Sequence, residues 1–207
     1  MRYLLQLLIV MLLIGILAPP SGATANFTAQ DQTDIKRIEV YLNKFKSLRS
    51  RFVQVASGRY AEGIIYIERP NKLRLQYTNP SHIQVYSSGF WLTYIDTELE
   101  AIWHVPIKST AAGLFVRKTI NLAGDISLHQ VKREPGVISL VLSQTEQPNA
   151  GTLELVFTEN PLTLRKWNII DGDGMSTSVT LFSAEFNISI PGSTFSFDET
   201  IYEYRAD

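Results

Sequence analysis

The stretch "EGIIYIERPNKLRLQY", residues 62–77, decides how the rest of the chain is read. It holds two short runs of period two, separated by Arg69-Pro70-Asn71. In the second run, Leu73, Leu75 and Tyr77 fall on one side, and Lys72, Arg74 and Gln76 on the other. In the first, Ile65 and Ile67 share a parity with Arg69. Each run is a half-buried strand. Carried back across Pro70, the alternation also puts Arg69 on the side of the leucines, unless the proline shifts the register. A guanidinium directed at a greasy face calls for a reason.

Strand signals continue on both sides. "RFVQVAS" precedes the opening stretch; "HIQVYSS", "FWLTYID" and "EAIWHVP" follow it at short spacing, separated by Gly, Pro, Asn and Ser. Further on come "ISLHQVKRE", "VISLVLSQ", "TLELVFT", "LTLRKWNIID" and "TSVTLFSAEF", with turn chemistry in "REPG", "QPNAG" and "DGDG". The total is about eleven short strands in hairpin succession, which predicts one large antiparallel sheet, curled or partly closed. Before them, "TAQDQTDIKRIEVYLNKFKSL" (28–48) predicts a helix. Thr28 and Asp31 offer cap oxygens, and Ile35, Ile38, Leu42 and Phe45 form one apolar stripe.

The segment "VPIKSTAAGLFVRKTINLAGD" (105–125) interrupts the β pattern. Its Ser-Thr pair predicts a capped short helix over residues 111–116, which either lies over a site or plugs a barrel end.

The first 25 residues are set apart. Arg2, an apolar run from Leu4 to Ala18, and Ala23-Thr24-Ala25 predict a signal peptide cleaved after Ala25. That leaves residues 26–207 as a single exported domain with no other apolar stretch long enough for a bilayer. With no cysteine, disulfides, thiol catalysis and a cysteine-borne lipid anchor are excluded. A nearly balanced charge gives no reason to expect nucleic acid. Basic residues cluster only at Lys44, Lys46, Arg49 and Arg51. They either complement the end of the first helix or form a docking patch for an acidic partner or membrane surface.

Catalytic and metal signals are sparse. His82, His104 and His129 sit singly in separate predicted strands, without a metal-ligand motif, and neither a metal nor another cofactor is expected. "DGDG" reads as a hairpin turn in preference to a calcium loop. No nucleophile elbow or phosphate-binding glycine loop is present, so the sequence points away from an enzyme.

The order of these segments resembles the outer-membrane lipoprotein carrier (LolA) family. The likeness runs through "RFVQ", "EGIIYIERPNKLRLQY", "LTLRKWNIIDGDGMSTSVTL" (Leu164, Trp167, Asp171, Gly174, Thr177, Val179) and "STFSFDE". The resemblance implies a mainly β fold with an α-helical lid. This would be a single unclosed, half antiparallel β-barrel of about eleven strands, covered by an N-terminal helix and short helices. It also implies a periplasmic monomer that takes acylated lipoproteins from an inner-membrane ABC transporter. The carrier would shield their acyl chains and pass them to an outer-membrane acceptor. Arg69 takes the place of the family's lid latch, and Leu73 that of a position used in partner handover. With the helix near 109–118 and the first helix as lid, Phe52, Ile65, Ile67, Leu73, Leu75, Trp91, Trp103, Leu114 and Phe115 are the candidate wall. Keeping a 16-carbon chain from water is worth roughly 12 kcal/mol, so a carrier needs an apolar surface and a door. The rival readings are a lipoprotein-sensing regulator, a free lipid or glycolipid carrier on the same fold, and a hydrolase using one of the histidines.

Overall fold

The computed structural model describes residues 26–80, 82–122, 126–145 and 151–196. The expected signal peptide, the "QPNA" part of one turn and the end of "STFSFDE" lie outside the described residues. Helix α1 spans Ala29–Lys44. Then come β1 (Ser47–Ala56), β2 (Arg59–Glu68), β3 (Lys72–Asn79), β4 (Ile83–Ser88), β5 (Trp91–Asp96) and β6 (Ala101–Pro106). A 3-10 turn (Ile107–Ser109) and the short helix α2 (Ala112–Phe115) lead to β7 (Ile126–Glu134), β8 (Val137–Gln144), β9 (Gly151–Glu159), β10 (Leu162–Asp171) and β11 (Ser176–Phe186). A last 3-10 turn covers Gly192–Phe195.

The eleven strands form one sheet in the order β6-β5-β4-β3-β2-β1-β11-β10-β9-β8-β7. With β6 and β7 at its edges, the sheet is not closed into a barrel, and an N-terminal helix and a few short helices accompany it. The strands fall where the strand signals lie, and several turns between them hold residues at positive φ. Ser57 and Gly58, at φ +49° and +75°, make the two-residue connection between β1 and β2. At Gly63 a side chain is excluded outright, because a Cβ would lie 2.2 Å from the Gln76 carbonyl oxygen.

The chain divides into two compact units. The first comprises the chain up to Phe45, with Val53–Tyr60 and Thr119–Phe182. Its strands present an unbroken apolar face: Ile138 lies opposite Phe157, Leu140 opposite Leu155 and Leu142 opposite Leu153. Leu155 faces Trp167, and Trp167 faces Val179. All of these side chains are buried. Polar residues share the other face, where the Glu154 carboxylate accepts from Lys132, Ser139 and Asn168.

Helix α1 packs on the apolar face. Its N-terminus is closed by the expected Thr28–Asp31 capping box. Ile38 and Leu42 are fully buried, while the Tyr41 ring meets Phe157 edge-on at 5.8 Å. The Leu164 N–H donates to the Tyr41 hydroxyl at 3.0 Å. Asn43 clamps Ile120, accepting from its N–H at 2.9 Å and donating to its carbonyl at 2.8 Å. The Leu122 N–H donates to Glu39.

The helix stops earlier than the 28–48 reading. Phe45 is extended, at φ −91° and ψ 133°, and β1 begins at Ser47. The cause lies far away in sequence: the Lys46 N–H donates to the Asn187 side chain at 2.8 Å, and the Ser47 hydroxyl to the Ile188 carbonyl at 2.6 Å.

The polar anchor of α1 is Asp34, a buried carboxylate within the expected apolar stripe. Arg37 donates to it at 2.7 Å, Gln30 at 3.2 Å, and the β7 residue Arg133 at 3.0 and 2.5 Å. Arg133 also reaches Asp31, and Arg37 reaches Glu159. Burial alone would raise the Asp34 pKa, but the bonds from Arg133, Gln30 and Arg37 prevail and hold it below the usual carboxylate value. A depressed folded-state pKa stabilises the fold above the unfolded-state value, near 3.9, and that contribution is lost as pH falls through the folded one. Asp34→Ala is expected to cost about 1–3 kcal/mol at neutral pH, by leaving Arg133 and Arg37 without their acceptor. Urea midpoints measured against pH should show the difference between wild type and variant shrinking below about pH 4.

Candidate functional site

The second unit comprises Lys46–Phe52, Ala61–Lys118 and the chain from Ser183. Its register separates two faces. Ile65 pairs with Leu75 and Ile67 with Leu73; Leu75 then meets Val85 and Leu73 meets Ser87. Val85 pairs with Tyr94 and Ser87 with Leu92, and β6 adds Trp103 opposite Tyr94. One face is therefore Ile65, Ile67, Leu73, Leu75, Tyr77, Ile83, Val85, Leu92, Tyr94 and Trp103, nearly all apolar. The other carries Arg74, Tyr86, Trp91 and Ile95. There Arg74 donates to the Thr194 carbonyl and lies 4.8 Å from the Tyr86 ring centroid.

The segment from Ile107 to Val116 is held at both ends by this unit's turns. The Ile107 N–H donates to the Phe90 carbonyl at 2.9 Å. The far end is the last turn of α2, whose carbonyls have no partner of their own within so short a helix. Arg69 Nε donates to the Phe115 carbonyl at 2.8 Å, and the Asn71 N–H to the Val116 carbonyl at 2.8 Å. Asn71 also accepts, from the Gly89 N–H at 3.1 Å and the Ser87 hydroxyl at 3.2 Å. Ile107, Leu114, Phe115 and Val116 are buried.

Arg69 is half-buried, and that burial lowers its pKa to about 10. It stays cationic at neutral pH. The charge is thus held at a desolvation cost that the bond to Phe115 offsets, a charge-assisted hydrogen bond contributing about 1.5–3 kcal/mol.

The expected wall residues divide. Ile65, Ile67 and Leu73 are buried on the apolar face, and Leu75 is half-buried there. Phe52 is buried against Tyr77, with ring centroids 5.2 Å apart. Trp103 is half-buried beside Tyr94 at 5.2 Å, and Leu114 and Phe115 belong to α2. Trp91 departs from this set: it lies on the opposite face, 51% exposed, with Phe90 edge-on at 4.8 Å. Leu92 and Tyr94 take the place expected of it. "FWLTYID" is apolar on both parities, and only the pairing of Val85 with Tyr94 decides between them.

The helix over 111–116 shrinks to Ala112–Phe115, and its Ser-Thr pair does not cap it. Ser109 and Thr110 instead donate to the carbonyls of Pro106 and Ile107, closing the 3-10 turn before it. The basic run is not gathered at a helix end. Lys44 ends α1, Lys46 precedes β1, and Arg49 and Arg51 alternate outward along β1, where Arg49 pairs with Glu185 at 3.1 Å. The histidines stay separate: His82 lies 3.5 Å from Glu98, His104 bonds Thr93 and His129 bonds Ser143. "DGDG" is the β10–β11 turn, with the Asp171 carboxylate accepting from the Asp173 and Met175 N–H groups. No group of three or more potential metal ligands occurs among the described residues.

Asn71 and Tyr94 are not among the expected site residues. A turn asparagine carries no sign that its backbone bridges three elements. Tyr94 is buried on the apolar face, and its hydroxyl has no hydrogen-bond partner among the described residues. Burial, with Asp96 and Tyr77 nearby, raises its pKa.

An open antiparallel sheet with an apolar face, an N-terminal helix and a few short helices places the chain in the class of unclosed β-sheet proteins with accompanying helices. Comparison with known proteins makes that class specific. The model of the family described as outer membrane lipoprotein carrier protein LolA matches residues 43–198, and the chain belongs to this family. An outer-membrane lipoprotein carrier protein of Pseudoalteromonas translucida is 26% identical over 91% of this chain and 90% of its own length. One from Pseudomonas fluorescens is 27% identical over 91% and 95%. Among solved structures, an outer membrane lipoprotein-sorting protein domain from Vibrio parahaemolyticus aligns with TM-score 0.50 at 7% identity. It covers 82% of this chain and 97% of that one, a likeness of fold alone.

Tyr94→Phe removes a hydroxyl that is buried without a hydrogen-bond partner among the described residues. The variant is expected to be as stable as wild type or up to about 1–2 kcal/mol more stable. Thermal or urea unfolding of the cargo-free protein checks this; a loss of stability would mean that the hydroxyl is satisfied.

Proposed function

We propose that this chain is a periplasmic carrier that receives acylated lipoproteins from an inner-membrane ABC transporter and delivers them to an outer-membrane acceptor. The observation that supports the reading best is the Arg69–Phe115 bond, at the end of a short segment tied to an apolar sheet face, in a member of the carrier family. In this reading Phe52, Ile65, Ile67, Leu73, Leu75, Tyr94, Trp103, Leu114 and Phe115 shield acyl chains. The segment around α2 is the lid, and Arg69 is its latch. Transport of this kind needs no chemical step and no cofactor. Among the described residues no helix is long and apolar enough to cross a membrane. With export directed by residues 1–25, the mature chain would work in the periplasm.

The latch gives transfer a direction. Its bond stabilises the empty, closed form, so cargo is held against a penalty and yields to an acceptor with a higher affinity. Leu73 is buried in this state, so a partner reaching it must first displace what covers it. The exposed Lys46, Arg49 and Arg51, with Lys44, remain candidates for the first contact with a partner.

The protein is expected to take up a triacylated lipoprotein from inner-membrane vesicles and keep it in the supernatant. Arg69→Leu should accept the same cargo but transfer it to outer-membrane vesicles at least about tenfold less well, since a lost charge-assisted bond corresponds to roughly a ten- to hundredfold shift in the closing equilibrium. Arg69→Lys, without the planar fork, should fall between the two. Folded protein that leaves lipoprotein in the membrane, or normal transfer by Arg69→Leu, contradicts the proposal.

A further inference from the structure

The β4–β5 connection carries a feature that the carrier reading does not use. Gly89 and Phe90 join Ser88 to Trp91, and the two aromatic rings stand outward, Phe90 59% and Trp91 51% exposed. They form a compact edge-to-face pair on a hairpin tip. The stretches of chain joined to the tip are basic and free of acid. From Arg69 to Ile95 there is no Asp or Glu, but there are Arg69, Lys72 and Arg74. From Ala101 to Gly124 there is again none, with Lys108, Arg117 and Lys118 as the cations. These two stretches supply the elements joined to the tip: the Phe90 carbonyl accepts from Ile107, Gly89 donates to Asn71, and Trp91 pairs with Pro106. Of the cations, Lys72 shares its charge with Glu68 at 2.7 Å.

We infer that Phe90 and Trp91 form a contact for an anionic bilayer surface, with the acid-free basic stretches around them supplying the attraction. Phenylalanine and tryptophan settle at the boundary between headgroups and hydrocarbon, and lysine and arginine are drawn to anionic headgroups. A projecting tip suits an interface that it can enter; a protein partner would have to offer a pocket of matching shape.

The tip is also joined to the lid by backbone. Phe90 holds the start of the 107–116 segment, and Gly89 holds Asn71, which holds its end. Insertion of the rings therefore pulls on both ends of the lid, and membrane contact loosens it. This inference goes beyond the carrier reading and does not depend on it, because protein-free vesicles contain no cargo.

The test is co-sedimentation of the mature protein with vesicles of phosphatidylglycerol and phosphatidylethanolamine. Wild type should bind, bind less as salt rises, and bind weakly to phosphatidylcholine alone. The Phe90→Ser/Trp91→Ser double variant should bind about tenfold less, at an unchanged melting temperature. Independently of that variant, brominated lipids should quench wild-type emission more than that of Trp91→Phe. On vesicles, the amides of Asn71 and Ile107 should exchange faster. Wild-type protein that stays in solution, equal binding by the double variant, or binding only when the vesicles contain membrane proteins overturns the docking surface. Binding without faster exchange at Asn71 and Ile107 overturns its coupling to the lid.

Discussion

The hydrogen bond from Arg69 Nε to the Phe115 carbonyl is the contact on which the rest of the account depends. Helix α2 has only four residues, far too few to persist by itself, and the carbonyls of its last turn must find donors elsewhere. Arg69 and the backbone of Asn71 provide them from the β2–β3 turn. An arginine suits this place because its cationic fork keeps donating even when partly desolvated. A segment held this way, the lid of the proposed carrier, has little stability of its own. Its position is set by borrowed bonds and by the burial of Ile107, Leu114, Phe115 and Val116, so competition for either can move it.

The two units manage their apolar faces differently. In the first, a long helix is fastened to the sheet by buried leucine and isoleucine and by the Asp34–Arg133 cluster, which resists movement. In the second, a short segment with buried side chains is attached at its ends through turns. On this unit's apolar face the buried Tyr94 hydroxyl has no hydrogen-bond partner among the described residues.

Much of this was written in local sequence. Short alternating or apolar runs between turn residues marked the strands, and the parity of Ile65, Ile67, Leu73 and Tyr77 marked one buried face. Thr28 and Asp31 marked the start of α1. Where the reading failed, the deciding contact was remote. The end of α1 is set by Asn187 and Ile188, and nothing between residues 28 and 48 announces them. Trp91 and Leu92 compete for one face, and the register with β4 chooses the smaller side chain. Asp34 sits in an apolar stripe because Arg133, on a distant strand, reaches it. Ser109 and Thr110 had the chemistry of a cap, but a nearer carbonyl claimed each hydroxyl. The bond made by Arg69 was legible only in part: its parity with Ile65 and Ile67 hinted at the apolar side, and the carbonyl it reaches belongs to a remote helix.

In the proposed carrier the Arg69–Phe115 bond exists in the empty protein and is given up on loading. The most direct measurement is the exchange of the Arg69 Nε proton with water, followed by nuclear magnetic resonance as a triacylated lipopeptide is added. The account predicts a protected Nε–H in the cargo-free protein and loss of that protection in proportion to bound lipopeptide. Protection that is absent without cargo, or unchanged at saturation, would contradict it.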